Sequence, residues 1–350
     1  MDAKPQAYRL HFHPVKRVPV IAITMGDPGG IGPEIIVKTL LKEKPGPSCA
    51  FLVVGVREPF ERVRERCGLS VSLRDVRDSD GETLKGGFSY FWDISGEIPK
   101  GGRFRTGKID GVNGAMALAV LEKTAGLAER GIVNAIVTAP VNKAAVRLAD
   151  PSFIGHTEYF ASRSRVKDFA MMFLSSRLKV TLATIHVPLR KVSSLLTAPN
   201  VFKKILMTDA VLRRGCGIKK PRIAVCALNP HGRETGEEED RKIAPAVRRA
   251  KRRGVNATGP FSADQLFHAA YAGHYDAVIS MYHDQALGPF KMVAFHEGVN
   301  MTLGLPYVRT SPDHGTAFDI AYGGKADPSS MRAALRLARD LALTRYAHSN

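Results

Sequence analysis

Six short runs of apolar, β-prone residues, at 18–24, 50–55, 134–138, 179–185, 222–228 and 277–281, punctuate the chain. A strand with one face in water alternates apolar and polar residues, whereas a strand without that alternation is covered on both faces. Cover on both faces calls for helices above and below the sheet. The segments between the runs supply them, with helical period over 31–41, 111–130, 201–214, 243–253 and 331–342. The pattern predicts an α/β fold of two α/β/α lobes with mostly parallel sheets and an active-site cleft between the lobes. There is no internal repeat or low-complexity linker, so the second lobe is expected to form by the chain crossing over and returning. The expected division is 18–140 with 305–350 for one lobe and 141–304 for the other. Residues 1–17, MDAKPQAYRLHFHPVKR, lack an apolar stretch of secretory type and read as a flexible extension, with His11 and His13 part of that tail.

Composition excludes several classes of function. The formal charge is +18, and its densest run is VRRAKRRG at 247–254, preceded by EEEDRK. Acidic residues opening a helix and basic ones closing it match the helix dipole, and no aromatic residues interleave the basic ones to stack on bases. The run reads as a solvated helix, so no nucleic-acid partner is expected. No apolar run is long enough for a membrane span. Cys49, Cys67, Cys216 and Cys226 have no metal-ligand or disulfide spacing and read as reduced thiols of a cytoplasmic protein.

Two glycine-rich stretches invite a nucleotide-binding reading. Gly26-Asp27-Pro28-Gly29-Gly30-Ile31-Gly32-Pro33-Glu34 follows the first apolar run and opens a helix, but it is not GxGxxG and lacks the acidic residue of a dinucleotide fingerprint. It reads as a tight strand-to-helix turn at least as well as a ligand contact. The stretch from Gly102 to Lys108 matches GxxxxGK but is followed by Ile109, which has no hydroxyl for magnesium, and no strand precedes it. It is not a P-loop.

The positions of three histidines are more informative. His186, His231 and His283 each come just after an apolar run, where open α/β sheets place their ligands. Three imidazoles with one open position make a catalytic metal site, though each alone reads as well as a polar strand cap. Asp284 stands beside His283 and could orient it. Lys143 follows another run and is balanced between substrate contact and surface lysine. Thr157 reads as a helix cap with Glu158 in the first turn. Lys291, Asn300 and Arg309 fall in loop-like sequence near the last histidine and read as an anion clamp.

MGDPGGIGPE, YHDQALGPFK and GVNMTLGLPYVRTSPDHGTAFDIA closely resemble the 4-hydroxythreonine-4-phosphate dehydrogenase family of pyridoxal phosphate biosynthesis, over about Pro19 to Leu337. The resemblance implies an isocitrate/isopropylmalate dehydrogenase-like fold and an NAD- or NADP-dependent enzyme with a divalent metal (zinc, magnesium or cobalt). It matches His186, His231 and His283 to the metal ligands, and His156, Thr157, Lys291, Asn300 and Arg309 to the substrate site. It places cofactor contacts at His314, Gly315, Thr316 and Asp319, in a loop resembling that of the broader relatives. The implied reaction oxidises 4-phosphooxy-L-threonine to a 3-oxo acid, which decarboxylates to 3-amino-2-oxopropyl phosphate. The sister reading is a metal-dependent dehydrogenase for 4-phospho-threonate or a ring dihydrodiol. The resemblance also implies a homodimer whose subunits share the active site, with the metal ligands and the dimer interface carried by 141–304.

Overall fold

The structure, a computed structural model, describes residues 18–76, 84–98 and 102–347. The expected extension at 1–17 lies outside them. In chain order the elements are β1 (Val20–Thr24), α1 (Gly32–Lys42), β2 (Ala50–Gly55), α2 (Arg57–Cys67), β3 (Arg74–Val76), β4 (Ser89–Asp93) and α3 (Gly111–Glu129). Next come β5 (Ala135–Thr138), α4 (Lys143–Ala149), α5 (His156–Arg163), β6 (Ala170–Leu174), β7 (Lys179–Leu182), α6 (Val192–Leu195) and α7 (Ala198–Arg214). The chain continues through β8 (Ile223–Cys226), α8 (Ala244–Arg252), β9 (Ala257–Phe261), α9 (Ala263–Tyr271), β10 (Ala277–Ser280) and α10 (His283–Ala294). It ends with β11 (Val299–Leu303), β12 (Val308–Pro312) and α11 (Ser329–Ala347).

The chain forms two compact units, one holding the described residues up to Arg165 and from Tyr307 onward, the other Val166–Pro306. In the first unit the strand order is β3-β4-β2-β1-β5-β12, and every pairing is parallel. All residues of β1, β2 and β5 are buried, as expected for strands covered on both faces. The order in the second unit is β11-β6-β7-β10-β8-β9, with β6 antiparallel to both β11 and β7 and the rest parallel. Its core joins Phe173, Val180, Leu182, Val278, Leu287 and Phe290.

Local chemistry sets the helix ends. Asp110 caps α3 by accepting from the Val112 and Asn113 amides, and Thr197 caps α7 by accepting from Asn200. Residues 141–165, expected with the second lobe, belong to the first unit. The reason is local: α4 packs so tightly on α3 that a side chain at Gly114 would stand 1.9 Å from the Ala145 carbonyl. Three residues expected in loops are in regular structure, Lys291 on α10, Asn300 on β11 and Arg309 on β12. His283 and Asp284 are the first residues of α10, not of a loop.

Candidate active site

In the second unit, the ring centroids of His186 and His283 lie 5.9 Å apart. The Asp284 carboxylate lies 2.7 Å from Nδ1 of His283, so a proton held there leaves Nε2 of that ring as its lone-pair donor. His231 is exposed, in the left-handed region (φ 56°), at the head of a short turn. Among the described residues no group of three or more His, Cys, Asp or Glu is gathered as a metal cage. The fold thus brings together two of the three candidate imidazoles within one chain, and His231 is not gathered with them. An imidazole pair with one ring's orientation fixed by a carboxylate has the donor chemistry a divalent ion requires.

The loops that carry the three histidines are tied by side chains the sequence analysis did not single out. Thr184 Oγ1 donates to the Met281 carbonyl (2.7 Å), joining the approach to His186 with the approach to His283. Gln285 accepts from the Met281 amide (2.7 Å) and donates to the Ala227 carbonyl (2.8 Å), joining α10 to the end of β8. Buried Glu239 accepts the Leu228 and Asn229 amides at 2.8 and 3.0 Å, just before His231. Hydrogen bonds from Ser193 and Asn229 pull the Glu238 carboxyl down to about 2. Asn300 points an oxygen into buried space without a hydrogen-bond partner, and Lys291 is half-buried on α10.

The first unit holds the other substrate candidates. Arg309, 2% exposed, projects from the middle of β12 and donates to Thr138 Oγ1 at the end of β5 (2.5 Å) and to Thr157 Oγ1 (3.4 Å). Burial brings its guanidinium down to about 10, which leaves it charged at neutral pH. Thr157 is not the cap of α5; Gly155 occupies that position, and the Thr157 hydroxyl faces Arg309. Nε2 of His156 is buried without a partner. Burial, then the charges of Arg309 and Lys143, hold the His156 ring well below the usual imidazole range, so it is neutral. The Lys143 ammonium lies over Gly155, 3.4 Å from where a side chain there would begin. The arrangement is a fixed cation among hydroxyls, beside a neutral ring and a second cation, which suits an anionic ligand.

The glycine turn and the expected cofactor loop prove to be one structure. The Ile31 amide donates to the Thr316 carbonyl (3.0 Å), and a side chain on Gly30 would stand 2.8 Å from that same oxygen. Only glycine permits this approach. The Gly29 and Gly30 amides are taken by Asp27 Oδ1 (2.8 Å) and the Asp27 carbonyl (3.1 Å), so the turn spends its donors internally. It is a brace, not an anion cradle. Burial pushes the Asp27 carboxyl up to about 6, against the backbone hydrogen bonds of Gly29 and Asn142, and its Oδ2 has no partner. His314, Gly315 and Asp319 are exposed, and a side chain on Gly315 would meet nothing within 4 Å.

A family model described as pyridoxal phosphate biosynthetic protein PdxA matches residues 47–338. The chain belongs to this family. A 4-hydroxythreonine-4-phosphate dehydrogenase of Desulforapulum autotrophicum is 42% identical over 341 residues, covering 91% of this chain and 94% of its own. A D-threonate 4-phosphate dehydrogenase of Salmonella typhimurium is 40% identical, covering 92% and 98%. The crystal structure of 4-hydroxythreonine-4-phosphate dehydrogenase from Klebsiella pneumoniae superposes with a TM-score of 0.79 at 39% identity, over 93% of this chain and 99% of that one. This PdxA-family chain is therefore a dehydrogenase with the mixed α/β fold of its relatives. Among its described residues no helix is long and apolar enough to cross a membrane.

Proposed function

We propose that this PdxA-family dehydrogenase oxidises the C3 hydroxyl of 4-phosphooxy-L-threonine, giving a 3-oxo acid that loses carbon dioxide to leave 3-amino-2-oxopropyl phosphate. One observation carries the reading beyond family membership: a buried, charged Arg309 held between Thr138 and Thr157 beside the neutral His156. A buried guanidinium is costly to hold, and an anionic substrate compensates it with charge-assisted hydrogen bonds.

Arg309, Thr157 and Lys143 bind and orient the anionic substrate, and His156 accepts or donates a hydrogen bond without adding charge. Lys291 and Asn300 contribute a further cation and a buried amide. His186, His231 and His283 would hold the divalent ion, with Asp284 fixing the His283 tautomer. His314, Gly315, Thr316 and Asp319 would hold NAD or NADP. When bound, the ion lowers the pKa of the substrate hydroxyl and polarises the carbonyl, while the nicotinamide accepts hydride.

The working form is proposed to be a cytoplasmic homodimer whose subunits share the active site. Its support is the exposure of Met292 (83%), Phe295 (67%) and Leu189 (68%) on the histidine-bearing unit. A second substrate reading, D-threonate 4-phosphate, is favoured by the relative of that name at 40% identity. The two substrates differ at C2, amine against hydroxyl. Reduction of NAD and NADP with each substrate, before and after chelation, tests both readings. No turnover with either would overturn the proposal.

A further inference from the structure

We propose that Glu238 and Glu239 are positioning residues for His231, fixing the loop that presents this imidazole to a divalent cation. The inference deepens the metal-ligand reading and rests on it. Glu239 is wholly buried, and its two oxygens are fully committed to one loop. Oε1 takes the amides of Leu228 and Asn229 at 2.8 and 3.0 Å, and Oε2 takes the Asn229 side-chain amide at 3.0 Å. Glu238 Oε2 accepts from the same Asn229 nitrogen at 2.9 Å, while its Oε1 accepts from Ser193 Oγ at 2.5 Å. A side chain on Gly236 would stand 2.1 Å from that nitrogen, so the segment closes directly on Asn229.

His231 follows Asn229 by two residues, and Ser193 follows His186 by seven. One acidic pair thus anchors the His231 loop and ties it to the segment running on from His186. Burying a carboxylate is expensive, and a neutral cap would serve if closing a turn were the only need. Two adjacent carboxylates sharing one amide instead fix both the direction of the chain and the rotation of Asn229, which sets where the exposed imidazole starts. Partners of this kind, one bond removed from a metal ligand, typically change metal affinity about 10–100-fold when altered.

The test is titration of the metal-stripped full-length protein with Co2+, followed by visible absorption, alongside thermal melting of the metal-free form. Wild type is expected to show a ligand-field band that His231→Ala loses. In Glu239→Gln a donor replaces the oxygen that faces the Asn229 amide. This variant should bind Co2+ about 10–100-fold more weakly with an altered band. Ser193→Ala removes one bond to Glu238 without burying anything new. It should bind about fivefold more weakly while lowering the melting temperature by no more than about 1–4 °C, and it decides the matter should Glu239→Gln not fold. If both variants match wild type in affinity and spectrum while His231→Ala does not, the positioning role is refuted and the ligand assignment stands. If His231→Ala itself keeps the wild-type band and affinity, the ligand assignment fails and the inference falls with it.

Discussion

Replacing Arg309 by Met separates the two things this residue does. Burial lowers the guanidinium from 12.5 to about 10, which corresponds to about 3 kcal/mol against the charged form in the free protein. Methionine fills much of the same volume without charge. It leaves the Thr138 and Thr157 hydroxyls short of one donor each, at a cost of about 1 kcal/mol apiece. The opposing effects leave the free enzyme as stable as wild type or up to about 2 kcal/mol more stable. Substrate binding should respond in the opposite direction. Two charge-assisted bonds of about 1.5–3 kcal/mol each are lost, so kcat/KM should fall about 10²–10⁴-fold while metal content stays unchanged. Urea unfolding followed by fluorescence of Trp92, which lies in the same unit, reads the stability, and initial rates read the function. An Arg309→Met protein destabilised by more than about 2 kcal/mol with wild-type kcat/KM would show that the guanidinium is structural and would refute the clamp.

Other substitutions test other parts of the account. The Asp27 carboxyl is raised to about 6, so the native state binds more protons than the unfolded chain between about pH 4 and 6. Its contribution to stability is present below that window and lost as pH rises through it. Asp27→Asn should therefore unfold about 1–3 kcal/mol harder than wild type at pH 7.5 and show no gain at pH 4. His156 has the opposite sign: its native pKa lies below the ordinary value, so stability is lost as pH falls below about 6.5. His156→Asn should flatten that limb of the urea midpoint against pH, and an unchanged slope would place the protonation elsewhere. Glu34 is wholly buried, taking Lys38 (2.8 Å) and the Ala326 amide (2.9 Å) on one oxygen and the Gly324 amide (3.3 Å) on the other. Glu34→Ala should cost about 3–5 kcal/mol in a thermal or urea melt while leaving Co2+ binding intact, since its partners all belong to the first unit.

β1, β2 and β10 were plain in the sequence because burial on both faces leaves a nearly continuous apolar run, whereas β6, AMMFL, is equally apolar and was not among the runs read as strands. β11 and β12 were not, because VNMTL and VRTSP carry Asn300 and Arg309 inside the sheet, where a polar side chain imitates a loop. Helix α10 was hidden by Pro289 within it. Spacing and resemblance singled out His186, His231, His283 and Arg309 as candidates. Their supports were not legible, since Glu238 and Glu239 look like the acidic first turn of a solvated helix and only the fold buries Glu239. The pairing of the glycine turn with Thr316 spans nearly the whole chain, so local pattern could not disclose it.

The most direct measurement of the central claim is nucleotide reduction by the purified protein with 4-phosphooxy-L-threonine and, in parallel, with D-threonate 4-phosphate, each with and without a chelator. NADH or NADPH formation should be abolished by chelation and restored by a divalent ion. The kcat/KM for 4-phosphooxy-L-threonine should also exceed that for the C2-hydroxyl analogue by at least about tenfold. Equal or reversed preference would reassign the substrate, and turnover indifferent to chelation would contradict the metal-dependent mechanism outright.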